Sequence, residues 1–496
     1  MLTYLIAFLI SLGLATALVP VVKSLARRYR IFDRNRSSRA IHDRPIPRLG
    51  GVAIAIAFYA PLAGLLFHTN GVSEAFFLDP QKPVALLLGG LAIFLLGLYD
   101  DLRGAGAKLK FAVQLGVAGA LYASGFRVEQ ISLPFAGHLT LGPLALPFTA
   151  LWIVGVINAM NLVDGLDGLA GGVAFFAVAG SFLLALSRGD ILMSLYMASL
   201  GGAVLGFLIF NFNPASIFMG DCGSMFLGFV LATTSLQTSQ KSSTAVAMLI
   251  PIIALGLPIM DTLLAMIRRF VRGRSMFSAD REHIHHKLLA LGYTQRRAVL
   301  MLYALCVFLG AVSLAMTFAN STQVTLLLLV VAAVVGVLIR KLGYLKPQPQ
   351  GAVNPLGLRQ RNLDLRAAVR LAGERLRQAQ SSEEAWHLVQ EVAGQLAADE
   401  LCLELRSPAA DGSHEVARYS WQLDSQGPAA PTSVTLPIGA GAHGTLAATW
   451  RDGRAEVDRD QEIALELLTE QLGNTLDRLA DRAAADPEIV LPLKRG

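Results

Sequence analysis

The sequence predicts an all-α polytopic membrane protein of about eleven transmembrane helices, N-terminus outside and C-terminus inside, followed by a small soluble α+β domain. Three observations carry that expectation. Hydrophobic residues make up 54% of the 496, and the mean hydropathy of +0.52 is too apolar for an ordinary soluble chain. Apolar runs recur through the first two thirds of the chain at lengths near the roughly 20 residues that a bilayer span requires. Charge is also uneven. From Pro355 onward 15 Lys/Arg stand against 22 Asp/Glu, so a basic, apolar body precedes an acidic tail.

The runs lie near residues 2–22, 51–67, 84–99, 111–124, 146–160, 169–186, 191–210, 225–236, 245–267, 299–318 and 324–339. The first lacks a basic stretch before it and carries one after it, which reads as a signal anchor rather than a cleaved leader. Orientation follows from loop charge. Nine Lys/Arg fall between Lys23 and Arg48 and eight between Arg268 and Arg297. Both loops follow odd-numbered spans and therefore share the cytoplasmic side. Three widely separated cysteines, Cys222, Cys306 and Cys402, suggest neither a disulfide framework nor a zinc site.

Four polar clusters interrupt the apolar body, and all follow odd-numbered spans. Around residues 158–170, Asn158, Asn161, Asp164 and Asp167 recur every third residue, a spacing that on a helix shares one face. Gly165 and Gly168 between them allow a bend or the close approach of a ligand. Asp100 and Asp101, with Lys108 and Gln114 downstream, are adjacent carboxylates that could hold a divalent cation or divide the work of a base and an orienting group. Asp221 sits between Gly220 and Gly223 before an apolar run. A loop of that kind can aim backbone N–H groups at phosphate oxygens while the carboxylate supplies a ligand to Mg²⁺. The fourth cluster, Arg281, His283, His285, His286 and Lys287, suits a diphosphate better than zinc, because no Cys or Glu partner has ligand spacing. Each cluster also has a plain reading as a turn, a cap or a positive-inside loop. Their convergence on one face favours a site: phosphoryl transfer at a lipid headgroup from a soluble phosphorylated donor.

The segments DDLRGAGAKLKFAVQ from Asp100, NAMNLVDGLDGLAGG from Asn158, NFNPASIFMGDCGS from Asn211 and REHIHHKLL from Arg281 resemble, in order, the motifs of the polyprenyl-phosphate N-acetylhexosamine-1-phosphate transferases. His42 and the PRLGG that ends at Gly51 also fit, so the resemblance covers about residues 1–340. It implies Asp221 as the principal Mg²⁺ ligand, with Mn²⁺ as a substitute, and Asp100 beside the lipid phosphate as base or orienting group with Asp101 next to it. It implies Lys108 on phosphate, and Asn158, Asn161, Asp164, Asp167 and Asn211 around the nucleotide-sugar site. Arg281, His283, His285 and His286 would meet the donor's diphosphate. The implied reaction joins a UDP-N-acetylhexosamine to undecaprenyl phosphate at the cytoplasmic face of a bacterial plasma membrane and releases UMP. The His-Ile-His-His order, unlike the consecutive histidines of the peptidoglycan-precursor translocases, resembles the branch using UDP-GlcNAc; UDP-MurNAc-pentapeptide is the alternative donor.

The expected domains are residues 1–344 for the membrane transferase, 345–356 for a Pro-rich linker, 357–484 for a cytoplasmic domain and 485–496 for a tail. Helical periodicity over 363–380, 383–398 and 460–480 brackets strand patterns at 401–405, 415–423, 433–438 and 445–449, which resembles a GAF-type sensory domain in fold. A homodimer and an unidentified ligand or protein partner of this domain are the further partners expected; nothing points to nucleic acid. A transporter would need polar groups at mid-membrane. An anchored sensor acting through its tail would leave the four polar clusters unexplained.

Overall fold

The computed structural model describes residues 1–32, 46–65, 67, 71–133, 137–240, 249–271, 283–343, 355–408, 414–423, 431–439, 443–452 and 457–485. His42, Arg281 and most of the expected linker and tail lie outside the described residues. The chain divides into two compact units, residues 1–266 with 279–347 and residues 267–278 with 348–496.

The first unit is helical: α1 Leu2–Arg28, α2 Gly50–Gly64, α3 Gly71–Leu78, α4 Gln81–Arg103 and α5 Ala107–Ala123, then a short antiparallel hairpin of β1 Gln130–Leu133 and β2 Gly137–Thr140. It continues with α6 Ala145–Val163, α7 Leu169–Ser187, α8 Ile191–Asn211, α9 Asp221–Gln240, α10 Leu249–Ala254, α11 Gly256–Val271 (up to residue 266), α12 Ile284–Ala290, α13 Gln295–Phe318 and α14 Ser321–Lys341. Among the described residues, each of the eleven apolar runs falls mainly in helix. Among the described residues, seven helices are long and apolar enough to cross a membrane: α1, α4, α6 with its preceding turn, α7, α8, α13 and α14. The other four runs fall in helices that are shorter or more polar, with the ninth divided between α10 and α11.

The helix α9 explains why a hydropathy criterion can miss a central element. It packs against α2, α4 and α6 and carries Thr233, Thr234 and Ser235, all buried. Their hydroxyls donate to carbonyls one turn back, Thr233 to Phe229 at 2.8 Å and Thr234 to Val230 at 2.7 Å. Polar atoms satisfied within the helix leave nothing for a bilayer to solvate.

In the second unit α15 Pro355–Leu376 begins inside the expected linker and is followed by α16 Ser382–Leu396. Strands β3 Glu400–Pro408, β4 His414–Gln422, β5 Thr432–Ile438 and β6 Gly444–Trp450 form an antiparallel sheet in the order β4-β3-β6-β5, and α17 Arg459–Ala485 closes the unit. Alternation decides the packing. Leu401, Leu403 and Leu405 of β3 and Leu446, Ala448 and Trp450 of β6 join one core with Leu376, Val389, Leu396 and Leu468 from the helices.

Candidate active site

At one end of the first unit the C-terminal ends of α4, α6 and α8 meet the N-terminal ends of α2, α5, α7 and α9. Backbones must come close there. A Cβ on Gly51 would stand 2.2 Å from the Gly223 nitrogen, and one on Gly97 would stand 2.5 Å from the Asp221 carbonyl oxygen. Only glycine lets α2 and α4 lie against the start of α9.

Five charged side chains assemble on that contact. Asp101 is fully enclosed and accepts from Arg48 Nε at 2.9 Å, from the Asp221 amide at 2.9 Å and from the Cys222 amide at 3.0 Å. Its carboxylate caps α9, where the exposed amides and helix dipole favour a negative charge. The Gly220–Gly223 loop therefore spends its first two helix amides on Asp101 and not on a phosphate, which corrects the anion-loop expectation. The physical reason is that a carboxylate held inside the fold reaches those donors without competition from water.

Adjacent residues on a helix point about 100° apart, and Asp100 accordingly leaves its neighbour for another partner. Lys110 Nζ lies 2.8 Å from Asp100 Oδ2 and 3.0 Å from Asp221 Oδ2. Arg48 Nη2 lies 2.8 Å from Asp221 Oδ1, and the Ala105 amide donates to Asp100 Oδ1. Three carboxylates and two cations leave the cluster with one negative charge.

The lysine brought to the carboxylates is Lys110, while Lys108, singled out in sequence, is exposed. Arg48 and Lys110 were missed as site residues. Arg48 was legible within the PRLGG segment, but Lys110 carried no signal separating it from its neighbour.

The expectation of one helical face through Asn158, Asn161, Asp164 and Asp167 holds for the first two. Helix α6 ends at Val163, Asp164 is its half-buried C-cap, and Gly168 at φ +77° opens α7. Left-handed backbone of that kind breaks a helix and favours glycine. Asn158 Nδ2 donates to Gln114 Oε1 at 2.7 Å, and Asn161 Nδ2 to Ser224 Oγ at 2.9 Å, tying α6 to α5 and α9 beside the carboxylates. Asp167 is instead buried against the loop before α9. It accepts from Asn213 Nδ2 at 3.0 Å and the Ala215 amide at 2.9 Å. Asn211 is likewise a brace: its Oδ1 accepts from Gly168 N at 3.1 Å and its Nδ2 donates to Ile217 O at 2.9 Å.

The histidines divide by role. His283 Nδ1 lies 3.1 Å from Asp261 Oδ2, and the Ile284 amide donates to Asp261 Oδ1 at 2.9 Å, so Asp261 fixes the start of α12. His285 is buried against Gly165, where a Cβ would come within 2.6 Å of Nε2. Burial lowers its pKa to about 3, with neighbouring His286 and His283 adding to the effect and Asp261 opposing it. His285 is therefore a neutral imidazole near neutral pH, which corrects its expected place in a cationic surface. His286 and Lys287 are half-buried.

Among the described residues no three His, Cys, Asp or Glu side chains form a ligand cluster. The donors available to a cation are the oxygens of Asp100 and Asp221, whose side chains are 12% and 13% exposed. Two hard, partly exposed carboxylates and a residual negative charge fit Mg²⁺, which keeps waters and takes phosphate oxygens for its remaining ligands.

Comparison with known proteins finds a matching family and several relatives. The glycosyl transferase family 4 model matches residues 83–239. The chain is 40% identical over 304 residues to the probable undecaprenyl-phosphate N-acetylglucosaminyl 1-phosphate transferase of Bacillus subtilis, covering 61% of this chain and 82% of that protein. It is 36% identical over 339 residues to the decaprenyl-phosphate N-acetylglucosaminephosphotransferase of Mycolicibacterium smegmatis, covering 64% and 83%. It is 27% identical over 311 residues to the undecaprenyl-phosphate alpha-N-acetylglucosaminyl 1-phosphate transferase of Escherichia coli, covering 61% and 82%.

Proposed function

The chain belongs to glycosyl transferase family 4, and from that premise we infer that it transfers N-acetylglucosamine 1-phosphate from UDP-GlcNAc to undecaprenyl phosphate, releasing UMP and starting a lipid-linked cell-envelope glycan. The observation that carries this reading is the meeting of Asp100 and Asp221 across Lys110, inside the matched region and at one end of apolar helices.

In the reaction an acceptor phosphate oxygen attacks the donor phosphorus that bears the sugar. The bond from that phosphorus to the bridging oxygen breaks, and UMP leaves with the oxygen. Asp100 and Asp221 would hold Mg²⁺, whose contribution is to neutralise the diphosphate and the charge that develops on it. Asp100 orients the acceptor or takes its proton. Arg48 and enclosed Asp101 keep Asp221 in position. Asn158 and Asn161 line the sugar side, while His286 and Lys287, with Arg281, meet the diphosphate. Neutral His285 shapes the loop at Gly165.

The remaining features of the reading are eleven spans, an outside N-terminus, a catalytic face toward the cytoplasm of a bacterial plasma membrane, and a GAF-like regulatory C-terminal domain. They are supported by the eleven apolar runs of the sequence, the basic loops and the order of helices and strands in the second unit. The experiment is UMP release by purified protein with undecaprenyl phosphate, Mg²⁺ and UDP-GlcNAc. UMP that requires both lipid and metal supports the assignment. Transfer from UDP-MurNAc-pentapeptide but not from UDP-GlcNAc would move the chain to the alternative donor.

A further inference from the structure

We propose that Lys110 is a built-in counter-ion that competes with a divalent cation for Asp100 and Asp221, occupying the carboxylate pair until metal binds and then swinging toward the substrate phosphates. The inference rests on the reading of that pair as the Mg²⁺ site.

The distribution of oxygens carries it. Each carboxylate has one oxygen held by the scaffold: Asp100 Oδ1 by the Ala105 amide and Asp221 Oδ1 by Arg48. The two remaining oxygens, Asp100 Oδ2 and Asp221 Oδ2, both face Lys110 Nζ, at 2.8 and 3.0 Å. Those are the oxygens a cation would need, so the ammonium stands where the cation's charge belongs. Two positive ions cannot share that space, because they repel strongly at contact distance in a partly enclosed site.

The two cations of the cluster differ in their freedom to leave. Arg48 is anchored by Asp101, whose side chain is 0% exposed, and its planar fork is matched to two carboxylates at once. Lys110 is no more exposed than Arg48, both at 25%, but it sits on a flexible stem near the start of α5 and its ion pairs are with the partly exposed Asp100 and Asp221. An ammonium has three donors that can turn from carboxylate to phosphate without rebuilding the site. The arrangement keeps two carboxylates paired in the metal-free protein and delivers a positive charge once a metal takes them.

Two measurements on the full chain in lipid nanodiscs, without substrates, test this. The first is Mn²⁺ binding followed by electron paramagnetic resonance for wild type, Lys110→Gln and Lys110→Arg. Loss of a charge-assisted competitor should tighten Mn²⁺ binding by about tenfold in Lys110→Gln, while Lys110→Arg should bind no tighter than wild type. Equal or weaker binding by Lys110→Gln, with wild type binding, would overturn the proposal alone. No binding by any of the three would overturn the reading of the pair as a cation site. The second measurement needs no variant: acylation of Lys110 by an amine reagent, read by peptide mass spectrometry with exposed Lys108 as internal reference. Labelling of Lys110 relative to Lys108 should rise when Mg²⁺ is added; an unchanged ratio would overturn the proposal.

Discussion

Arg48 Nη2 lies 2.8 Å from Asp221 Oδ1, although the two residues are 173 positions apart. The same guanidinium reaches Asp101 through Nε at 2.9 Å. One planar group therefore ties the segment before α2, the end of α4 and the start of α9 into one site. Replacing Arg48 with alanine leaves enclosed Asp101 without its guanidinium partner. We expect a loss of about 3 kcal/mol of stability, the scale for breaking a buried ion pair, read as a lowered thermal midpoint of the detergent-solubilised chain. An unshifted midpoint would mean that the cluster contributes to function and not to folding.

Asp221→Asn keeps the volume of the side chain and removes the charge. UMP release should fall by about 100-fold or more, since preorganised charge at a phosphoryl-transfer site commonly accounts for that much. Retention of near-normal turnover would remove Asp221 from the machinery.

Gly97→Ala would put a methyl group 2.5 Å from the Asp221 carbonyl oxygen. Because the obstacle is backbone, the helices must part, at a cost of about 1–3 kcal/mol, and Asp100 must move away from Asp221. Both the midpoint and UMP release should drop. Gly116→Ala on α5, where nothing lies within 4 Å, serves as the matched control and should leave both unchanged or slightly raise stability.

Protonation of His285 sets a pH window. Its folded pKa of about 3 lies below the ordinary 6.5, so between those values the unfolded chain binds more protons and stability rises with pH. The stabilisation is complete above about 6.5 and is lost progressively as pH falls toward 3. From about pH 7 to about pH 5 the midpoint of the wild type should fall more than that of His285→Gln. Identical slopes would show that His285 is not held neutral by burial.

The membrane helices and the helix–strand order of the second unit were legible because each is a periodic, local property of the chain. Long apolar runs and two-residue alternation survive whatever the rest of the fold does. The candidate site was legible as a set of segments, with Asp100, Asn161 and Asp221 marked by ionisable or amide groups where apolar helices end. What each residue of a segment touches was less so. Asp100 and Asp101 are neighbours in sequence and take different partners; Lys108 and Lys110 are two residues apart, and only Lys110 turns to the carboxylates.

By itself, then, the sequence determined which stretches are helical and apolar, where charge interrupts them and which family's motifs they carry. Tertiary structure alone decided that Asp101 caps α9, that Asp167 and Asn211 brace a loop, that His285 is neutral, and that Arg48 and Lys110 complete the cluster. The division has a physical cause. Helix formation and hydrophobicity are summed along the chain. Hydrogen bonds and ion pairs depend on direction over about 3 Å, and direction is set only when glycine-lined backbones from distant segments close against one another.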